Sequence, residues 1–431
     1  MRTLSALLVV AALLGSMGLA QGAGSVVTLN ADGVTVISGK PVFPIGFTLG
    51  PPPEGKTPEG KDGLQELADA GATFLRTGPT GGGWDEDVLA REQEWEDAAA
   101  EHGLLCWVFL RELGSVGPDQ PEREALLRRV VTRFRDHPGL GFWKGEDEPA
   151  WGKKPVGPVL RAYQIIKELD PNHPVQLTQA PRNTVEELRA YDAGCDITAC
   201  DIYPISYPPG VHSLLPNKEI SMVGDYTRTM IEVAEGKLPV WMVLQIAFSG
   251  VVKPGKTLRF PTFAEERFMA YQAIINGARG LVFFGGNLPQ AMSAEDAALG
   301  WNWRFWRRVL RPLMEEIGRS SPLHPALIAP TADQNVQVQV RQSFGAEATA
   351  KDLEFCVRET PDYLYLLACK REGATVEVEF SGLPEDCGKG EVLYEEPRTV
   401  QAAKGSFTDW FGPFEVHVYR FARPAPAMAA P

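Results

Sequence analysis

The chain has 431 residues, is 44% hydrophobic and 23% charged, and sets 42 Lys and Arg against 55 Asp and Glu. That composition is ordinary for a globular protein, and the length suits a large domain carrying one accessory module. The net charge of −13, with no basic cluster to offset it, argues against nucleic acid or an anionic membrane as partner.

Residues 1–20 read as an export signal. Arg2 supplies the positive start, Leu4 to Leu14 is apolar except for Ser5, and Gly18-Leu19-Ala20 offers small residues for cleavage. The apolar run is shorter than the ~20 residues that span a bilayer. The mature protein is therefore expected to be secreted or periplasmic, with no membrane span. Six cysteines are too scattered for a dense disulfide framework, and buried thiols are the first expectation. Cys195 with Cys200, or Cys356 with Cys369, remain possible bridges, since sequence does not fix connectivity. No CxxC or HxxxH spacing marks a zinc site, and no metal or cofactor is expected.

A short hairpin opens the mature chain: residues 26–30 and 34–38 flank Ala31-Asp32-Gly33, a turn signal between alternating apolar residues. Then a rhythm of apolar strand, loop and amphipathic helix repeats eight times. The predicted strands are 41–49, 72–78, 104–110, 139–149, 174–180, 196–204, 239–248 and 280–286, and the last helix covers 302–317. Near-continuous apolar strands suit a parallel sheet covered on both faces, and eight units predict closure into a (βα)8 TIM barrel over 21–325. An open doubly wound sheet would call for a Gly-rich phosphate loop, and none is present. From about Val336 the period changes to two. Six runs with no intervening helix predict an antiparallel β-sandwich over 326–421, followed by a disordered Pro/Ala tail at 422–431.

Chemistry in such a barrel sits at the carboxyl ends of the strands. The fourth strand ends in Glu146-Asp147-Glu148-Pro149, three acids that must face the open mouth or be paired, because unpaired buried charge is costly. An acid cluster that merely caps or bridges the loop start is the alternative. The sixth strand ends in Asp201-Ile202-Tyr203-Pro204 and the second in Leu75-Arg76. Trp84, Trp143, Trp151, Tyr203, Tyr207, Phe248, Trp301 and Trp303 fall near strand ends and loops, where rings can stack on sugars or simply pack. Lys144 is placed to pair with an acid inside the barrel. His102 and His137, at helix ends, read as surface or capping residues.

Taken in order, these strand ends, the lead-in VISGKPVFPIGF, the segment AYQAIINGARGLVFF and the trailing sandwich resemble the clan A glycoside hydrolases. The resemblance implies a carbohydrate substrate, Glu148 as general acid with Asp147 in place of the usual Asn, and Arg76 as an orienting cation. It also implies a nucleophilic Glu at the end of the seventh strand, where this chain has Gln245. An amide cannot attack an anomeric carbon, so a second carboxylate must come from elsewhere. Asp201 or Glu146 could supply it. Alternatively the substrate's own acetamido group could attack, oriented by Asp147 and Tyr203. A third possibility is that the barrel binds carbohydrate without cleaving it. Under each, Arg76, Trp84, Trp143, Tyr203, Gln245 and Trp301 are the expected substrate-binding residues.

Overall fold

The computed structural model describes residues 24–206, 208–247, 259–332, 335–345 and 347–423. The expected signal segment 1–20, residues 424–431 of the expected tail, Tyr207 and Phe248 lie outside the described residues. Strands β1 (Val27–Leu29), β2 (Thr35–Ile37) and β3 (Lys40–Val42) form an antiparallel meander. The expected hairpin thus gains a third strand. It takes the start of the predicted 41–49 run, which breaks at Phe43-Pro44 because proline lacks the N–H a continuing ladder needs.

Eight parallel strands follow and close on themselves. They are β4 (Ile45–Thr48), β5 (Phe74–Thr77), β6 (Leu105–Phe109) and β7 (Leu140–Asp147), then β8 (Val175–Gln179), β9 (Ile197–Asp201), β10 (Val240–Gln245) and β11 (Gly280–Phe284). β11 pairs with β4 and β9 with β10, so no edge is left open. This is the (βα)8 barrel expected from the strand rhythm. Its lower interior is packed with rings: Phe74, Phe142 and Trp241 have centroids 5.1–5.3 Å apart. Their bulk is accommodated by glycines, since a Cβ on Gly46 would fall 2.2 Å from the Phe74 ring and one on Gly280 would fall 2.8 Å from Trp241. Val27 of β1 joins this cluster, so the meander packs across the barrel's N-terminal end.

The predicted 302–317 helix is interrupted. Helical turns at Trp303–Phe305 and Arg311–Ile317 enclose a π-helical segment, Trp306–Leu310. Pro312 cannot donate to the residue four before it, which favours the wider turn there. Helix His324–Ile328 straddles the expected domain boundary.

Among the described residues the C-terminal module has eight strands, two more than expected. They are β12 (Gln337–Phe344), β13 (Leu353–Glu359), β14 (Tyr363–Lys370), β15 (Thr375–Ser381), β16 (Lys389–Leu393), β17 (Arg398–Gln401), β18 (Phe407–Phe411) and β19 (Val416–Ala422). The missed pair, β17 and β18, are short runs bounded by turn residues. A sheet ordered β12-β15-β18 faces one ordered β13-β14-β19-β16-β17, giving the antiparallel sandwich. Its inner apolar faces form a core of their own. The second sheet also packs on the barrel: Phe414 meets Phe268 at 5.2 Å, and Arg371 bridges to Asp225 at 2.8 Å. All six cysteines are buried free thiols, so neither candidate bridge forms. Among the described residues no helix is long and apolar enough to cross a membrane.

Candidate active site

A cavity of about 470 Å³ opens at the carboxyl end of the barrel, within the usual range for ligand sites. Its position follows from the fold, since the Phe74, Phe142 and Trp241 rings fill the barrel interior below the strand ends. Glu148, Asp147, Asp201, Arg76 and Tyr203 all line it, drawn from the ends of three strands, β5, β7 and β9.

The acids owe their placement to an irregularity. Four residues of β7, Lys144 to Asp147, stand opposite three of β8, Gln176 to Thr178. This β-bulge shifts the alternation by one, so Lys144 and Asp147, which would face opposite ways in a regular strand, come to the same side and form an ion pair. Glu148 then takes a left-handed backbone with φ 48°, a conformation costly for a non-glycine residue, while its N–H donates to Thr178 O at 2.7 Å. The two distortions together turn consecutive carboxylates into one cavity. Glu146, inside the bulged stretch, points elsewhere. It is 6% exposed and lies 3.5 Å from Lys154, outside the cavity.

Across the mouth from Glu148 stands Asp201, at the end of β9. Oxygens of Glu148 and Asp201 and a ring nitrogen of His212 all lie within 4.8 Å of one another. The three groups are close enough to hold a divalent cation. The same closeness makes it unfavourable for both carboxyls to ionise together. Burial, then the Asp147 charge, raises the proton affinity of Glu148, with Asp201, Lys144 and Arg182 pulling it back. Burial raises Asp201 well above the ordinary carboxylate range, and Glu148 and Asp147 push it further. Two carboxyls so placed titrate as a pair that retains one proton over a wide pH span. Burial, reinforced by Arg182, lowers His212 to about 4, so its imidazole is neutral near pH 7. Its ring stacks on Tyr203 at 4.5 Å, and Tyr203 in turn stacks on Phe284 at 5.3 Å.

Four expected binding residues are not in this cavity. Gln245 is fully buried and grips one backbone residue: its Oε1 accepts from Ile205 N at 3.0 Å, and its Nε2 donates to Ile205 O. It therefore pins the chain just beyond Asp201 and Tyr203. Trp143 is buried outside the barrel wall, where its Nε1 donates to Asp170 at 2.7 Å. With Phe142 and Lys144 facing in, strand alternation requires Trp143 to face out. Trp84 packs on Phe134 and donates to Leu110 O at 3.2 Å. Trp301 donates to Leu49 O at 2.9 Å within a cluster with Phe47 and Trp306. Each of these rings is a packing element.

Other lining residues had no assigned site role. Trp107 and Phe109 alternate inward along β6 beneath the mouth, a signal the period-two rule could have yielded. Arg182 follows β8, and its guanidinium lies 5.6 Å from the ring of Trp151, which is 54% exposed. His212 comes from an irregular stretch between β9 and the helix Met222–Ala234, where no periodicity points to it.

No family model matches the sequence, and no curated protein matches it. Solved structures do share the fold. One described as "Glycoside hydrolase" superposes with a TM-score of 0.58 at 14% identity, covering 93% of this chain and 97% of that one. A glycoside hydrolase family 5 structure from Bacteroides vulgatus ATCC 8482 gives 0.62 at 12% identity, covering 93% of each chain. An Anoxybacillus alpha-amylase gives 0.55 at 10% identity, covering 92% of this chain and 99% of that one. The architecture is therefore that of glycoside hydrolase barrels, in line with the resemblance drawn from the strand ends. At these identities the likeness is one of fold.

Proposed function

We propose that this protein is an exported glycoside hydrolase in which Glu148 is the proton donor and Asp201 the second carboxylate. The observation that carries the reading is geometric: two carboxyl groups from strands β7 and β9 face each other within 4.8 Å at the accessible end of the barrel. Such close approach of the nearest atoms is well short of the ~6.5–9.5 Å that leaves room for an inverting water, and of the two-carboxylate schemes it favours double displacement with retention. Asp201 would attack the anomeric carbon as Glu148 protonates the departing oxygen. Glu148, then ionised, would draw a proton from the water that releases the sugar. The pair holds one proton between two carboxyls, and these steps require it on Glu148 with Asp201 ionised. Asp147 is already engaged by Lys144, which leaves Asp201 better placed than Asp147 to act as partner. Gln245 has no part in the chemistry and acts by holding Ile205.

A glycan panel assayed for released reducing ends tests the reading, with wild type compared against Glu148→Gln and Asp201→Asn. Each substitution is expected to lower turnover by roughly 10²–10⁴-fold, as for loss of a positioned acid or base, while leaving glycan binding intact. NMR of the first-formed anomer should show retention. Equal product from wild type and Glu148→Gln, or no product from either while both bind glycan, would overturn it.

A further inference from the structure

The cations of the cavity are unevenly matched to its acids. The ring of Phe109 carries Lys144 Nζ at 4.4 Å and the Arg76 guanidinium at 4.6 Å. Asp147 reaches this corner and pairs with Lys144, not with Arg76. Among the described residues no carboxylate lies within 4.0 Å of the Arg76 guanidinium, and its sole hydrogen bond runs from Nη2 to Pro79 O at 3.4 Å. A guanidinium presents five N–H donors in a planar fork, so four of them have no acceptor among the described residues. Burial is costly to this charge, holding Arg76 down to about 10, with Asp147 and the more distant Glu92 opposing that effect and the nearby Arg111 deepening it. The carboxyl end of β10, from which an acid could have reached into the mouth, offers the neutral Gln245, turned to Ile205. A half-buried guanidinium at a cavity wall, with donors left open toward the cavity, can be satisfied by an anion from outside.

We propose that this cavity selects a sugar unit bearing a carboxylate, a uronic acid, with Arg76 as the group that recognises it. Two parallel N–H···O bonds from a planar fork match a carboxylate better than a sulfate or a neutral hydroxyl, and Lys144 beside it adds charge without shape. Phe109 beneath the fork fixes its plane. This deepens the glycosidase reading, on which it rests for the sugar portion of the ligand, but the carboxylate contact requires no cleavage.

The test is binding of free monosaccharides, which contain no glycosidic bond to cleave. Calorimetry on the wild-type protein would compare sodium glucuronate and galacturonate with glucose and galactose, and glucose 6-sulfate would serve as a sulfated arm. A uronate is expected to bind at least tenfold more tightly than its neutral counterpart, more tightly than the sulfate, and more weakly as salt is raised. Arg76→Met should abolish the preference, and Arg76→Lys should keep charge but lose most of it. If either variant fails to fold, the salt dependence and sugar ranking of the wild type decide alone. Equal affinity for uronate and neutral sugar, a preference for the sulfate, binding of none of them, or a preference that persists in folded Arg76→Met would each overturn the inference. Uronate binding with no cleavage of any glycan would defeat the hydrolase reading and leave this one standing. Cleavage of glycans without uronate preference would do the reverse.

Discussion

Replacing Gln245 by glutamate puts a carboxyl back at the end of the seventh barrel strand, and the structure predicts a stability defect in place of a new nucleophile. The side chain is fully buried and holds both the N–H and the C=O of Ile205. Protonated glutamic acid has nearly the same shape and keeps both contacts, its O–H replacing the amide N–H toward the carbonyl. The ionised form would set an oxygen against Ile205 O in a fully buried site, so the folded protein retains the proton. In the unfolded chain the same group titrates near ~4.3, and keeping it protonated at pH 7 therefore costs up to about 4 kcal/mol, from ~2.7 pH units at 1.36 kcal/mol each. Because the folded-state affinity for the proton is raised, the variant should match wild type below about pH 4 and lose ground steadily above it, by ~1.4 kcal/mol per pH unit. Urea unfolding of both proteins between pH 3.5 and 7 measures the difference. A gap that does not change with pH would refute the reasoning. So would new cleavage activity surviving Glu148→Gln, for it would mean that residue 245 faces the cavity.

Trp143→Phe removes the buried bond to Asp170 and a ring outside the barrel wall, and should cost about 2–3 kcal/mol in thermal or urea unfolding. Glycan affinity should stay unchanged, whereas a weakened affinity with normal stability would place the indole at the site. In the sandwich, burial opposes the charge on His417, but Glu395, Glu415 and Asp409 outweigh it and hold the imidazole up at about 9. Its contribution to stability, of order 3 kcal/mol at most, is complete below pH ~6.5 and lost as pH rises through about 9. Urea midpoints from pH 6 to 10 should fall more steeply for wild type than for His417→Gln, and parallel curves would contradict the assignment.

Strand rhythm, helix positions and the change from an eightfold βα repeat to a period of two are properties of local pattern. Each depends on residues within a few positions of one another, and so they were legible in the chain. The location of the cavity followed from that, as did the gathering of Glu148, Asp201, Arg76 and Tyr203, because a closed barrel brings its strand ends to one mouth. The aromatic residues were less legible. A tryptophan near a strand end faces the mouth or the helices according to the phase of a two-residue alternation, and the inward-facing Phe142 and Lys144 set that phase against Trp143.

What the sequence by itself determined about this protein is the architecture and the address of the site. What only the tertiary structure decided is which side chains meet there. The bulge in β7 and the left-handed backbone at Glu148 turn Asp147 and Glu148 together into the cavity and send Glu146 out of it. The hydrogen bonds to Ile205 take Gln245 away, and an irregular loop delivers His212. The physical reason is common to all three. A bulge, a positive φ and a buried amide's choice of partner are set by contacts between segments distant in sequence, and such contacts exist only once the barrel has closed.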